Sequence, residues 1–65
     1  MMNEVATIKI QDVESADKAV AIVRYGEGRV ALCLSLKSNG DVEVTMTKAD
    51  AERLIEALRQ AIGRA

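Results

Sequence analysis

From Val30 to Met46 the chain alternates with a period of two. Val30, Leu32, Leu34 and Leu36 are separated by Ala31, Cys33 and Ser35; Val42, Val44 and Met46 are separated by Glu43 and Thr45. Such alternation is the mark of half-buried antiparallel strands. Asn39-Gly40 lies between the two runs, and Asn-Gly ordinarily signals a two-residue type I′ turn. That loop would set Leu36 opposite Glu43. Residues directly opposite share a face, so even-numbered Leu must meet even-numbered Val, and the loop needs an odd residue count. A three-residue loop, Ser38-Asn39-Gly40, meets this condition. It predicts Lys37 opposite Asp41, Leu36 opposite Val42, Leu34 opposite Val44 and Leu32 opposite Met46, with Gly40 in the left-handed conformation of a G1 bulge.

After the second run, "TKADAERLIEALRQAIG" carries Ala51, Leu54, Ile55, Leu58, Ala61 and Ile62 at helical spacing. Thr47 is the expected N-cap, with Asp50 three residues later in a weak form of the capping box. Gly63 is the expected stop. The apolar stripe needs a cover, and the Leu face of the hairpin is the surface expected to supply it.

Upstream, Ala6, Ile8 and Ile10 alternate with Thr7 and Lys9, and a polar connection runs from Gln11 to Lys18. In "AVAIVRYGEGRVAL" the β-branched Val20, Ile22 and Val23 favour a strand, with Gly26-Glu27-Gly28 as the turn. A helix from Ala16 to Tyr25, capped by Ser15 and ended at Gly26, fits the spacing of Ala16, Ala19, Val20 and Val23 as well. The strand reading gives a single α+β domain over residues 1–65: strands at 4–11, 19–25, 29–37 and 41–47, then a helix at 48–62. In that register Val20 and Ile22 sit beside the Leu face. Ala19, Ala21, Val23 and Tyr25 then join Ala31 and Cys33 on the reverse.

Composition sets what can hold such a domain together. A 65-residue chain has a marginal core, and domains of this size commonly add disulfides, a metal or a second subunit. Cys33 is the only cysteine, His is absent, and no acidic, Gly-centred calcium loop occurs, so neither a metal nor a cofactor is expected. One Tyr, with no Phe or Trp, leaves the core to Val, Ile, Leu, Ala and Met. Oligomerisation is the remaining staple. Ala19, Ala21, Val23, Ala31 and Cys33 form the expected interface of a homodimer, where small residues let two sheets, or a sheet and a partner's helix, approach closely.

The residues argue against several chemistries. Cys33 has no His to act as its base and reads as a packed mid-strand residue. "YGEGR" at Tyr25–Arg29 is followed by a strand, unlike a phosphate-cradling loop. Glu52 and Glu56 share a helix face with basic residues at helical distances, as in a solvated, ion-paired surface. No site for an enzyme emerges. No apolar run approaches the roughly 18 residues of a membrane span, and "MMNEVATIKI" lacks the form of a secretory signal. With the lone thiol, these features point to the cytoplasm.

Two functional readings follow. The first is a non-catalytic protein–protein interaction module: a small homodimeric adaptor, regulator or inhibitor, of bacterial or phage type, docking on a larger protein through an edge strand or its polar helix face. The second is a single-stranded nucleic-acid binder. Its expected contacts are Lys9, Arg24 and Arg29, gathered by folding on one part of the sheet, with Tyr25; four strands followed by one helix is also similar to the element order of sheet-based binders, including dimeric coactivator and whirly-type proteins, an analogy of fold alone. Against it, nine basic residues are balanced by ten acidic ones, and Tyr25 is the only stacking aromatic.

Overall fold

The computed structural model describes residues 2–65. Four antiparallel strands, β1 (Asn3–Gln11), β2 (Lys18–Gly26), β3 (Arg29–Leu36) and β4 (Gly40–Thr47), precede one helix, α1 (Lys48–Arg64). The sheet is a meander in the order β1-β2-β3-β4. This is the expected ββββα order, and residues 18–26 are strand, not helix.

Turn size fixes which side chains share a face, and the β2–β3 turn differs from expectation. Gly26 pairs with Arg29, so only Glu27 and Gly28 lie in the loop. Both have positive φ, 53° and 75°, the backbone of a type I′ turn. The expected three-residue turn would have paired Tyr25 with Arg29. Removing one loop residue transfers every β2 side chain to the other face. Ala19, Ala21, Val23 and Tyr25 therefore lie beside Leu36, Leu34, Leu32 and Val30, while Val20 and Ile22 join Ala31 and Cys33 on the reverse.

The β3–β4 loop has the expected three residues but starts one residue earlier, at Lys37-Ser38-Asn39. Leu36 pairs with Gly40, Leu34 with Val42, Leu32 with Val44 and Val30 with Met46. Facing parity is kept, while every partner moves by two positions. Gly40 has φ +82°, the left-handed conformation expected of it. The loop residues are bonded to the start of β2 and to the β1–β2 connection. Lys37 N donates to Lys18 O at 3.0 Å, and Ser38 donates to Asp17 Oδ2 from its N (3.2 Å) and its Oγ (2.5 Å). These bonds tie Lys37 and Ser38 to β2 and the β1–β2 connection. Asp41 consequently faces Ser35, whose Oγ donates to it, and not Lys37.

In β1, pairing slips between Glu4 and Ala6, leaving Val5 in a bulge. Beyond it Ala6, Ile8 and Ile10 face Val23, Ala21 and Ala19. One side of the sheet thus carries the apolar residues of all four strands, from Ile8 and Ile10 through Ala21 and Leu34 to Val42 and Val44. The other side is mostly polar.

The helix begins as expected. Thr47 is its N-cap, accepting from Asp50 N at 3.1 Å. Asp50 does not close the capping box; its carboxylate accepts from Arg53 instead, at 3.3 Å. Gly63 does not stop the helix, which runs on to Arg64 with Ala65 as C-cap. Nor does α1 cover the Leu face: none of its residues is buried. Its apolar stripe becomes more exposed along its length, from 39 % at Leu54 through 51 % at Ile55 and 55 % at Leu58 to 75 % at Ile62. Among the described residues the buried apolar ones number two, Ala21 and Ala31, on opposite faces of the sheet.

Two expectations follow from the backbone. An added Cβ meets nothing within 4 Å at Gly28, Gly40 or Gly63, so conformation alone decides the outcome there. Gly28→Ala and Gly40→Ala each destabilise by about 1–2 kcal/mol, whereas Gly63→Ala stabilises by up to about 1 kcal/mol; urea titration gives both signs. The second concerns pH. The hydrogen bonds from the Ser38 side chain and backbone hold the Asp17 carboxyl below its ordinary 3.8. A depressed folded-state value stabilises above the ordinary one, and that contribution disappears as pH falls through the folded value. As pH falls below the ordinary 3.8, the thermal midpoint of the native protein should drop more steeply than that of Asp17→Asn.

Candidate interaction surfaces

The apolar face is built by parity. With Glu27-Gly28 as a two-residue turn and 37–39 as a three-residue loop, odd residues of β2 align with even residues of β1, β3 and β4. No charged side chain falls on this face between Ala6–Ile10, Ala19–Tyr25, Val30–Leu36 and Val42–Met46. Ile8, Ile10, Tyr25, Leu34, Val42 and Val44 are exposed on it. Large apolar residues grouped in this way exceed the scattered exposure normal for a monomer surface.

The expected interface set is split between the two faces. Ala19, Ala21 and Val23 lie on the apolar face, Ala31 and Cys33 on the polar one. The cause is the two-residue turn. The larger residues of β3 and β4, which the three-residue reading placed under α1, take the central positions of the exposed patch. The Gly26-Glu27-Gly28 run accommodates either loop length, so local sequence does not separate the two readings.

The expected nucleic-acid contacts are also divided. Arg24 and Arg29 share the polar face with Lys9, whose cross-strand partner is Val20, while Tyr25 faces Val30 on the other side. Arg24 is engaged: its Nη1 lies 2.7 Å from Glu43 Oε2. Arg24 aligns with Ala31, and Cys33 with Glu43, so the pair crosses β3 diagonally. The small Ala31 beneath it is buried. Asp41 and Glu43 make the β4 side of this face acidic, opposite the Lys9 and Lys18 side.

Concavities are shallow and open. A trough of about 560 Å³ crosses the ends of β1 and β2, lined by Lys9, Ile10, Gln11, Lys18, Ala19 and Val20. A second, of about 420 Å³, surrounds the β2–β3 turn and includes Asn3, Tyr25, Arg29 and Lys48. Neither holds Cys33 or the Glu52/Glu56 pair. Glu56 accepts from Gln60 Nε2 at 3.3 Å on the helix surface. Cys33 is a half-buried free thiol. Among the described residues no group of three or more His, Cys, Asp or Glu could hold a metal ion, and no helix is long and apolar enough to cross a membrane.

Compared with known proteins, the chain matches no family model, and no curated protein or solved structure is significantly similar to it.

The Arg24–Glu43 pair is partly exposed, so its coupling should be small. A double-mutant cycle with Arg24→Ala and Glu43→Ala should give below about 1 kcal/mol, declining with added salt.

Proposed function

We propose that this chain is a non-catalytic interaction module that acts as a homodimer. One observation supports the reading above the others: a four-stranded sheet and a 17-residue helix that bury two alanines between them. The accessible surface is 5380 Å², against about 4,000 Å² for a folded monomer of 7.0 kDa. The radius of gyration is 12.9 Å, against about 10.7 Å for a compact chain of this length. The excess of roughly 1,300 Å² is more than each partner loses in a standard interface, about 800 Å².

With the apolar face covered by a second copy, the polar face and the outer edges of β1 and β4 remain for a larger protein. An adaptor, regulator or inhibitor role rests on these surfaces, since an open strand edge accepts an added strand. The nucleic-acid reading loses support from the division of Tyr25 from Lys9, Arg24 and Arg29, because stacking and phosphate contacts would then fall on opposite sides of the sheet.

Sedimentation at micromolar concentration tests the proposal. The expected particle has twice the 7.0 kDa mass of the chain; a stably folded monomer overturns it. Val44→Asp, on the apolar face, should abolish association and folding together, because the two are linked. Thr45→Asp, one residue along on the polar face, should leave the dimer intact. A single-stranded oligonucleotide titrated at low salt should show no binding that weakens steeply with added salt.

A further inference from the structure

The chain leaves two apolar surfaces open, and they differ in kind. One is a sheet face without charge; the other is the α1 stripe of Leu54, Ile55, Leu58 and Ile62. A helix stripe on a sheet face is one of the few layer arrangements by which small domains bury apolar area. The dimensions agree. Seventeen helical residues span about 25 Å, and the eight residues of β3 or β4 about 27 Å.

What keeps the two apart within one chain is the junction. Thr47 is both the last residue of β4 and the N-cap of α1, with φ −71° and ψ 162°, and Lys48 is already helical. No residue is left for a connection. Strand-to-helix connections ordinarily use two to six residues, which give a helix about 10 Å across room to turn onto the face of its own sheet. Without them α1 leaves from the sheet margin, touching β3 and β4 alone, and its stripe grows more exposed toward Ile62.

Resting on the dimer reading above, we infer that the helix of each chain lies on the apolar sheet face of its partner, the two copies exchanging α1 about a two-fold axis. A hinge too short to fold back favours such an exchange. The two-fold arrangement lets each copy give a helix and receive one, so that both surfaces are covered and the assembly closes at two chains. Leu34, Val42 and Val44 then meet Leu54, Leu58 and Ile62 of the other copy. The polar face with Cys33 and the Arg24–Glu43 pair stays outside.

Isotope-filtered NOE spectroscopy on the unmodified protein, mixed from carbon-13-labelled and unlabelled chains, tests this without a substitution that might unfold it. Intermolecular methyl contacts between Leu58 or Ile62 and Leu34, Val42 or Val44 are expected. A dimer whose helix-to-sheet contacts are all intramolecular, or whose intermolecular contacts join helix only to helix, overturns the exchange and leaves the dimer standing. A folded monomer overturns both. An independent measurement uses Cys33→Ser chains bearing either Leu34→Cys or Leu58→Cys. With one thiol per chain, a short bifunctional maleimide should join the two variants to each other in preference to either variant to itself. Crosslinks confined to pairs of Leu58→Cys chains overturn the exchange.

Discussion

Side-chain parity across the β2–β3 turn governs most of this structure. A strand has two faces and a period of two, so a loop one residue longer would send Ala19, Ala21, Val23 and Tyr25 to the opposite side. The left-handed backbone at Glu27 and Gly28 closes the turn in two residues. The consequence is a sheet divided into an apolar and a largely polar face, with no charge on the former. Had parity gone the other way, Val20, Ile22 and Arg24 would have joined the Leu residues of β3, and a charge would have stood on that face.

The second organising element is a clasp between loops. Asp17 accepts from the backbone and side chain of Ser38 while also accepting from Lys18 N at 3.0 Å. The connection that carries it is internally bonded: Asp12 N donates to Asp17 O at 2.9 Å, Ala16 N donates to Asp12 O at 2.7 Å, and Glu14 N donates to the Asp12 carboxylate at 2.9 Å. Ala16 takes positive φ, 62°, to complete the turn. Two loops at the same end of a meander are thereby tied together. Order in a sheet with almost no core comes largely from such backbone-directed bonds and from the ladders themselves.

Much of this was legible in the residues and some was not, for identifiable reasons. Strand positions and the helix follow from periodicity, and Thr47 and Gly40 announce their roles by chemistry. The face of β2 is different, since Gly26-Glu27-Gly28 permits a two- or a three-residue turn and composition does not choose between them. The β3–β4 loop is bonded to Asp17, 21 positions from Ser38, and local pattern carries no trace of that bond. Placing α1 on its own sheet came from matching two apolar surfaces; the direct run from the β4 alternation into the helix, with no loop residue between them, was visible in the sequence. The interface residues were divided for the same reason as β2, because a set chosen by face inherits any error in parity.

The bulge at Val5 has a bearing on how the sheet ends. β1 is an outer strand, and a row of unpaired backbone groups on a flat edge is a template on which further chains can stack into fibrils. At Val5 the regular spacing of those groups is interrupted and the strand bends. A chain adding to β1 would find an unbroken run only from Ala6 to Gln11, and one growing past it would lose registration with the strand beneath. In a protein whose exposed β1 residues include Val5, Ile8 and Ile10, that single extra residue limits open-ended growth at the edge where it would be easiest.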